Sequence, residues 1–164
     1  MMKLRPRDLI MIAVAVVIVL VIALFGFPNT GSTEVTVKGN ITAGFAGTVL
    51  LNGIKVKGNV TLIGGGGPIP WSIKNNTIRG NLMVSGQKTE WLGVLFNTIG
   101  RNAVLTEIAL TDVHPGAPGV YIVRNTIGRN LICLGLTPGV SGGFVPGSVN
   151  VVGRHAIGQC ASLV

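Results

Sequence analysis

The chain has 164 residues, of which 48% are hydrophobic, 11% are charged and 25 are glycine, with a formal charge of +8. Disorder needs low hydrophobicity, so it is excluded for most of this chain. Abundant glycine beside Val, Ile, Leu and Thr, with few strong helix formers, points to short strands and tight turns, and the basic balance favours anionic partners.

Residues 1–8 carry Lys3, Arg5 and Arg7 against Asp8 and read as a cytoplasmic basic segment. Leu9 to Phe27 is nineteen residues without a charge, and as a helix it spans about 28 Å, close to a bilayer core. The sequence therefore predicts one transmembrane signal-anchor helix over 9–27, with the basic end inside and the rest of the chain outside. The competing reading is a cleaved signal peptide. No convincing small-x-small site stands near Gly26, and both readings export the rest of the chain. Residues 28–34 form a linker, and Pro28 stops the helix. The exported domain is expected over 35–164, where ten basic side chains stand against four acids, Glu34 (at its edge), Glu90, Glu107 and Asp112.

A self-similar motif recurs six times in that domain. It runs Val37-Lys38-Gly39-Asn40-Ile41, Val56-Lys57-Gly58-Asn59-Val60, Ile78-Arg79-Gly80-Asn81-Leu82, Ile99-Gly100-Arg101-Asn102-Ala103 and Ile127-Gly128-Arg129-Asn130-Leu131, then Val152-Gly153-Arg154-His155-Ala156. The steps between Asn or His positions are 19, 22, 21, 28 and 25 residues. These lengths fit coils of a right-handed parallel β-helix with variable loops, whereas a left-handed hexapeptide helix keeps a stricter period. The expected fold is thus all-β: a solenoid of about six short coils behind one N-terminal transmembrane helix. The alternative is an antiparallel meander of hairpins, since Gly-Asn between apolar residues is also a hairpin signal. In the solenoid, the residues flanking each bend stack as two inward aliphatic ladders. The bend glycine supplies a positive φ. Asn40, Asn59, Asn81, Asn102 and Asn130 pile into a ladder whose amides bond from rung to rung about 4.8 Å apart. A second Asn column lies five residues earlier, at Asn76, Asn97, Asn125 and Asn150. Trp71 and Trp91 stand 20 residues apart, one coil, and are expected to stack as a pair.

The segment Asn125-Thr126-Ile127-Gly128-Arg129-Asn130-Leu131-Ile132-Cys133, with Val152-Gly153-Arg154 and Gly158-Gln159-Cys160, resembles a class of small exported bacterial proteins. These carry Asn-Thr-Ile-Gly-Gly-Asn-Leu-x-Cys repeats and a terminal Gly-Gln-Cys, and their function is mostly unknown. The resemblance covers the last third closely and the earlier repeats loosely. Arginine replaces the second glycine at Arg101 and Arg129. Val56-Lys57-Gly58-Asn59-Val60-Thr61 gives a fainter similarity to bactofilins, membrane-associated β-helical polymers, although the repeat lengths here are less even. Neither resemblance implies an activity.

Cys133 and Cys160 are 27 residues apart, near one coil length, so their strands are expected to be neighbours within disulfide reach. Export permits the bond, and the alternative is a pair of buried free thiols. No His pair accompanies them, so no metal site is expected, and no cofactor motif occurs. An enzyme is not expected: the exported part has four acids with no close pair, and the Asp112–His114 loop is more ordinarily solvated than catalytic. A carbohydrate-active enzyme has only fold analogy behind it.

One constellation points to binding. Lys38, Lys57 and Arg79 precede the bend glycine, and Arg101, Arg129 and Arg154 follow it, so each coil presents a cation at one corner. Six rungs make a ridge of roughly 24 Å. The functional reading is contact with anionic cell-envelope polymers or lipid head groups, and the plain reading is a solvated charged edge. The sequence thus predicts a non-catalytic, membrane-anchored, extracytoplasmic structural or interaction module. The alternative is a scaffold that self-assembles end to end as a homo-oligomer. Nucleic acid is not an expected partner, because the domain is exported.

Overall fold

Between bends the chain alternates inward and outward residues, as in Leu82-Met83-Val84-Ser85, where Leu82 and Val84 are buried, Met83 is exposed and Ser85 half-buried. This period of two is the mark of strands with one face in a core. The computed structural model describes residues 35–44, 50–67, 71–111, 118–144 and 147–164. The expectations for 1–8, 9–27 and 28–34, and for Asp112 and His114, lie outside these residues. Among the described residues no helix is long and apolar enough to cross a membrane.

The strands form four parallel sheets. A pre-corner sheet stacks Thr36–Val37, Lys55–Val56, Thr77–Ile78, Thr98–Ile99, Thr126–Ile127 and Val151–Val152. A post-corner sheet stacks Ile41–Gly44, Val60–Ile63, Leu82–Ser85, Ala103–Thr106, Leu131–Leu134 and Ala156–Gly158. A third sheet holds Leu50–Asn52, Trp71–Lys74, Leu92–Leu95, Val120–Val123 and Val140–Ser141. A short fourth sheet holds Gly66–Gly67, Lys88–Thr89 and Ala109–Leu110. Consecutive strands in chain order fall in different sheets, and each pairs with its counterpart one coil away. The fold is therefore a β-solenoid, and the hairpin meander is excluded because every ladder among the described residues is parallel. The expectation of about six coils corresponds to six stacked strands at the corner, which close about five turns.

The register stacks like on like. Val37, Val56, Ile78, Ile99, Ile127 and Val152 form one column, and Ile41, Val60, Leu82, Ala103, Leu131 and Ala156 the other. Inner members are buried, while Val37, Ile41 and Val152, at the two ends, are only partly so. Burying each large aliphatic contributes about 1.5–3 kcal/mol.

The bend glycines have a different reason from the one expected. None of Gly39, Gly58, Gly80, Gly100, Gly128 and Gly153 has a positive φ. What they provide is space. A Cβ on Gly80 would lie 2.6 Å from the Gly58 carbonyl oxygen, and one on Gly58 would lie 2.6 Å from that of Gly39. Gly39 stands in the first coil, and a Cβ there would meet nothing within 4 Å.

Positive φ is found at the other two corners. Gly53, Asn75, Phe96 and Arg124 occupy one column at φ 50–67°, and Gly64, Gly86, Glu107 and Gly135 another at φ 54–67°. Phe96, Glu107 and Arg124 carry the cost of a left-handed conformation because the coils on either side fix the turn.

Both asparagine columns are continuous. At the outer corner Asn59, Asn81, Asn102 and Asn130 each donate a side-chain Nδ2–H and the backbone N–H to the Oδ1 of the preceding Asn, at 2.8–3.3 Å. His155 continues the row with its backbone N–H to Asn130 Oδ1. At the inner corner the direction reverses: Asn76 donates to Asn97, Asn97 to Asn125 and Asn125 to Asn150. These four are 1–3% exposed. Their second Nδ2–H bonds reach the carbonyls of Leu51, Ile73, Val94 and Ile122 in the preceding coil.

Asn97→Ala orphans the buried Asn76 N–H and strips a partner from its Nδ2. A stranded buried polar group costs about 1–3 kcal/mol, so the expected loss is about 3 kcal/mol. Asn102→Ala, at the half-buried corner where water can substitute, should cost about 1 kcal/mol. Urea unfolding of the two variants checks the ordering, and equal losses would contradict it.

Candidate functional site

The corner between the pre-corner and post-corner sheets holds the six expected cations. Rung-to-rung hydrogen bonds set two adjacent columns there. Lys38, Lys57 and Arg79 fall in line with Gly100, Gly128 and Gly153, and Gly39, Gly58 and Gly80 in line with Arg101, Arg129 and Arg154. The cations thus form two files of three, offset by one residue, in place of one straight row. All six are exposed. Among the described residues none of them has an ion-pair partner, and neither described acid, Glu90 or Glu107, lies in this corner.

The offset leaves a recess at the junction. It measures about 240 Å³ and is lined by Lys57, Gly58, Asn59, Arg79, Gly80 and Arg101. A second recess of about 260 Å³ borders Lys57 and Arg79 on the other side, together with Thr36, Lys55, Val56 and Thr77. The two faces meeting at the corner differ. Thr77, Thr98 and Thr126 stack along the outside of the pre-corner sheet, and Met83, Val104, Ile132 and Ile157 along the outside of the post-corner sheet.

Four of the five ladder asparagines at this corner, Asn59, Asn81, Asn102 and Asn130, each donate an Nδ2–H to the asparagine of the coil before and so serve as backing for the cations. Asn59 Oδ1, for example, already accepts both bonds from Asn81.

Cys133 and Cys160 form a disulfide with Cα atoms 5.4 Å apart, and both residues are fully buried. The bond ties the 3₁₀ turn Gln159–Leu163 onto the last coil. Two further contacts hold this turn that sequence reading did not identify. The Gln159 side-chain amide accepts from Leu136 N–H at 2.8 Å and donates to Leu136 C=O at 2.7 Å, as a paired strand residue would. The Leu163 carbonyl accepts both the N–H and an Nδ2–H of Asn150. The Gly-Gln-Cys spacing was the available signal, since it sets Gln159 beside the bridging Cys160.

The expected tryptophan pair is revised. Trp71 is in register with Leu92, one position past Trp91, so the two tryptophans do not share a column. Trp91 instead packs on Tyr121 at 5.3 Å between ring centres, and Tyr121 packs on Phe144 at 5.8 Å. Burial pushes the Tyr121 phenol above its usual range, and a hydrogen bond with Trp91 partly offsets this. No group of three His, Cys, Asp or Glu side chains able to hold a metal occurs among the described residues.

The chain matches no family model, no curated protein and no solved structure.

A 27-residue span closed by one disulfide stabilises by about 3 kcal/mol on the loop-entropy account. Cys160→Ala should therefore lower unfolding stability by about that amount. Hydrogen exchange of Val151 and Val152 should quicken before that of Ile99. An unchanged urea midpoint would show that the bond adds nothing to the cap.

Proposed function

We propose that the chain is a non-catalytic, membrane-anchored module whose solenoid stands outside the cytoplasm and presents its basic corner to anionic material of the cell envelope, polymer or lipid head group. The observation that carries this reading is the doubled file of exposed cations, without ion-pair partners among the described residues and held at rung spacing by the ladders beneath. Like charges about 4.8 Å apart repel, and a polyanion laid along the corner relieves that repulsion.

Further features support it. The disulfide suits an oxidising compartment. The apolar run Leu9–Phe27, behind three basic residues, suits an anchor with its basic end inside. We read the coil as right-handed, the hand expected for parallel crossover connections in general. The described acids, Glu90 and Glu107, sit in different turns of the coil, which favours binding over glycoside chemistry. The 3₁₀ turn covers the last coil, which favours a discrete module over a scaffold growing from that end.

The test is retention of the full chain, in a non-ionic detergent, on immobilised poly(glycerol phosphate). Replacing Arg101, Arg129 and Arg154 together with glutamine removes three exposed contacts worth up to about 1 kcal/mol each, so affinity should fall by about tenfold or more and elution should move to lower salt. Equal retention of the triple variant and the parent would remove the corner from consideration.

A further inference from the structure

The corner is not uniform along its length, and the difference lies at the third and fourth coils. In the first three coils the cation occupies the first corner position and glycine the second. From the fourth coil the order inverts. Cations from both files border a common recess where the files meet, with Lys57 and Arg79 from one and Arg101 from the other.

The floor of that recess is backbone. Gly58 and Gly80 contribute no side chain, and neither can acquire one, because a Cβ at either position would press on the carbonyl of the rung beneath. Asn59, on the same floor, is held by bonds to Asn40 and Asn81. The recess therefore has fixed walls below and three long cationic arms around it. At about 240 Å³ it falls under the roughly 300–1,000 Å³ of pockets that enclose a drug-sized molecule. It suits one charged group of a larger ligand. Two guanidinium forks and an ammonium favour a phosphate, whose oxygens accept several charge-assisted bonds at once.

We propose that this junction, formed by Lys57, Arg79 and Arg101 over Gly58 and Gly80, is a discrete site for a single phosphate group. The inference rests on reading the corner as an anion-binding surface and sharpens it: one saturable site stands within the ridge. A phospholipid head group and a phosphate-bearing polymer offer the same group, and separate probes distinguish them.

The experiment uses the full chain in a non-ionic detergent at constant ionic strength. Inorganic phosphate is titrated while the arginine Nε–Hε NMR signals are followed. The expected result is saturable 1:1 binding, with the largest shifts at Arg79 and Arg101 and small shifts at Arg129 and Arg154. Arg79→Gln should weaken phosphate binding at least tenfold, and Arg154→Gln by less than twofold. Both residues are exposed, and an unchanged circular dichroism spectrum verifies that each variant is folded. Uniform shifts at all four arginines, with equal effects of the two substitutions, would overturn the discrete site and leave the ridge standing. No response to phosphate, together with no retention on poly(glycerol phosphate), would overturn both. Repeating the titration with dihexanoyl phosphatidylglycerol and with soluble poly(glycerol phosphate) assigns the source: the tighter probe names it, and Arg79→Gln must weaken that probe as well.

Discussion

Each buried asparagine at the inner corner joins three successive coils. Asn97 accepts from Asn76, donates to Asn125 in the following coil, and donates again to the Ile73 carbonyl in the coil before. Its polar atoms are satisfied with almost no water contact, which is the condition under which burying an amide is tolerated and specific. A slip of one residue in any coil would break these bonds. It would also turn the column from Val56 to Ile127 out of the core, since adjacent strand residues face opposite sides. The amide row and the aliphatic columns thus enforce one register, and every other feature inherits it. The outer row, from Asn40 to Asn130, runs its donors in the opposite direction, so the two rows clasp each coil from both neighbours.

That shared register explains how six cations come to share one corner. Adjacent rungs lie about 4.8 Å apart, inside the roughly 8 Å screening length at physiological salt. Exposed lysines and arginines would drift apart if their backbone were free to do so. Here the backbone is committed by the core and the ladders, and the side chains can only splay. A surface that holds like charges closer than they would settle by themselves has a standing preference for anions.

The parts of this architecture that were legible in the sequence are those written as repeated residue types. The six motifs gave the aliphatic columns, the outer asparagine row and the cations; a constant offset of five residues gave the inner row, and coil length the pairing of Cys133 with Cys160. Features enforced by neighbouring coils were not legible. Phe96, Glu107 and Arg124 take left-handed turns that none of these residue types favours, because Gly53 and Asn75 begin one column, Gly86 and Gly135 flank Glu107 in the other, and the stacked coils keep to the path these set. The bend glycines were identified correctly and explained wrongly, since close approach and positive φ select the same residue. The Trp91–Tyr121–Phe144 group was hidden because its members come from three separate segments whose register depends on loop lengths. Gln159 carries no periodic signature, because its side chain imitates a strand residue, and only its place beside Cys160 marked it.

The inversion of the corner motif follows from the same packing and gives the candidate site its rigidity. Of the two corner positions in each rung after the first, one lies over the carbonyl below and must be glycine, and the other is free to carry a long side chain. Gly80 lies over the Gly58 carbonyl, whereas Gly100 lies over that of Arg79, so the blocked position moves back by one residue between the third and fourth coils. The permitted position moves forward with it, from Arg79 to Arg101. A gap between the two files is then a geometric consequence of the change, bounded by peptide groups that already bond to the coils on either side, such as Gly80 N–H to Gly58 C=O and Arg101 N–H to Gly80 C=O. A ligand group entering the gap needs to order only the ends of three side chains. Preorganisation of this kind, more than the number of charges present, separates a site from a charged edge.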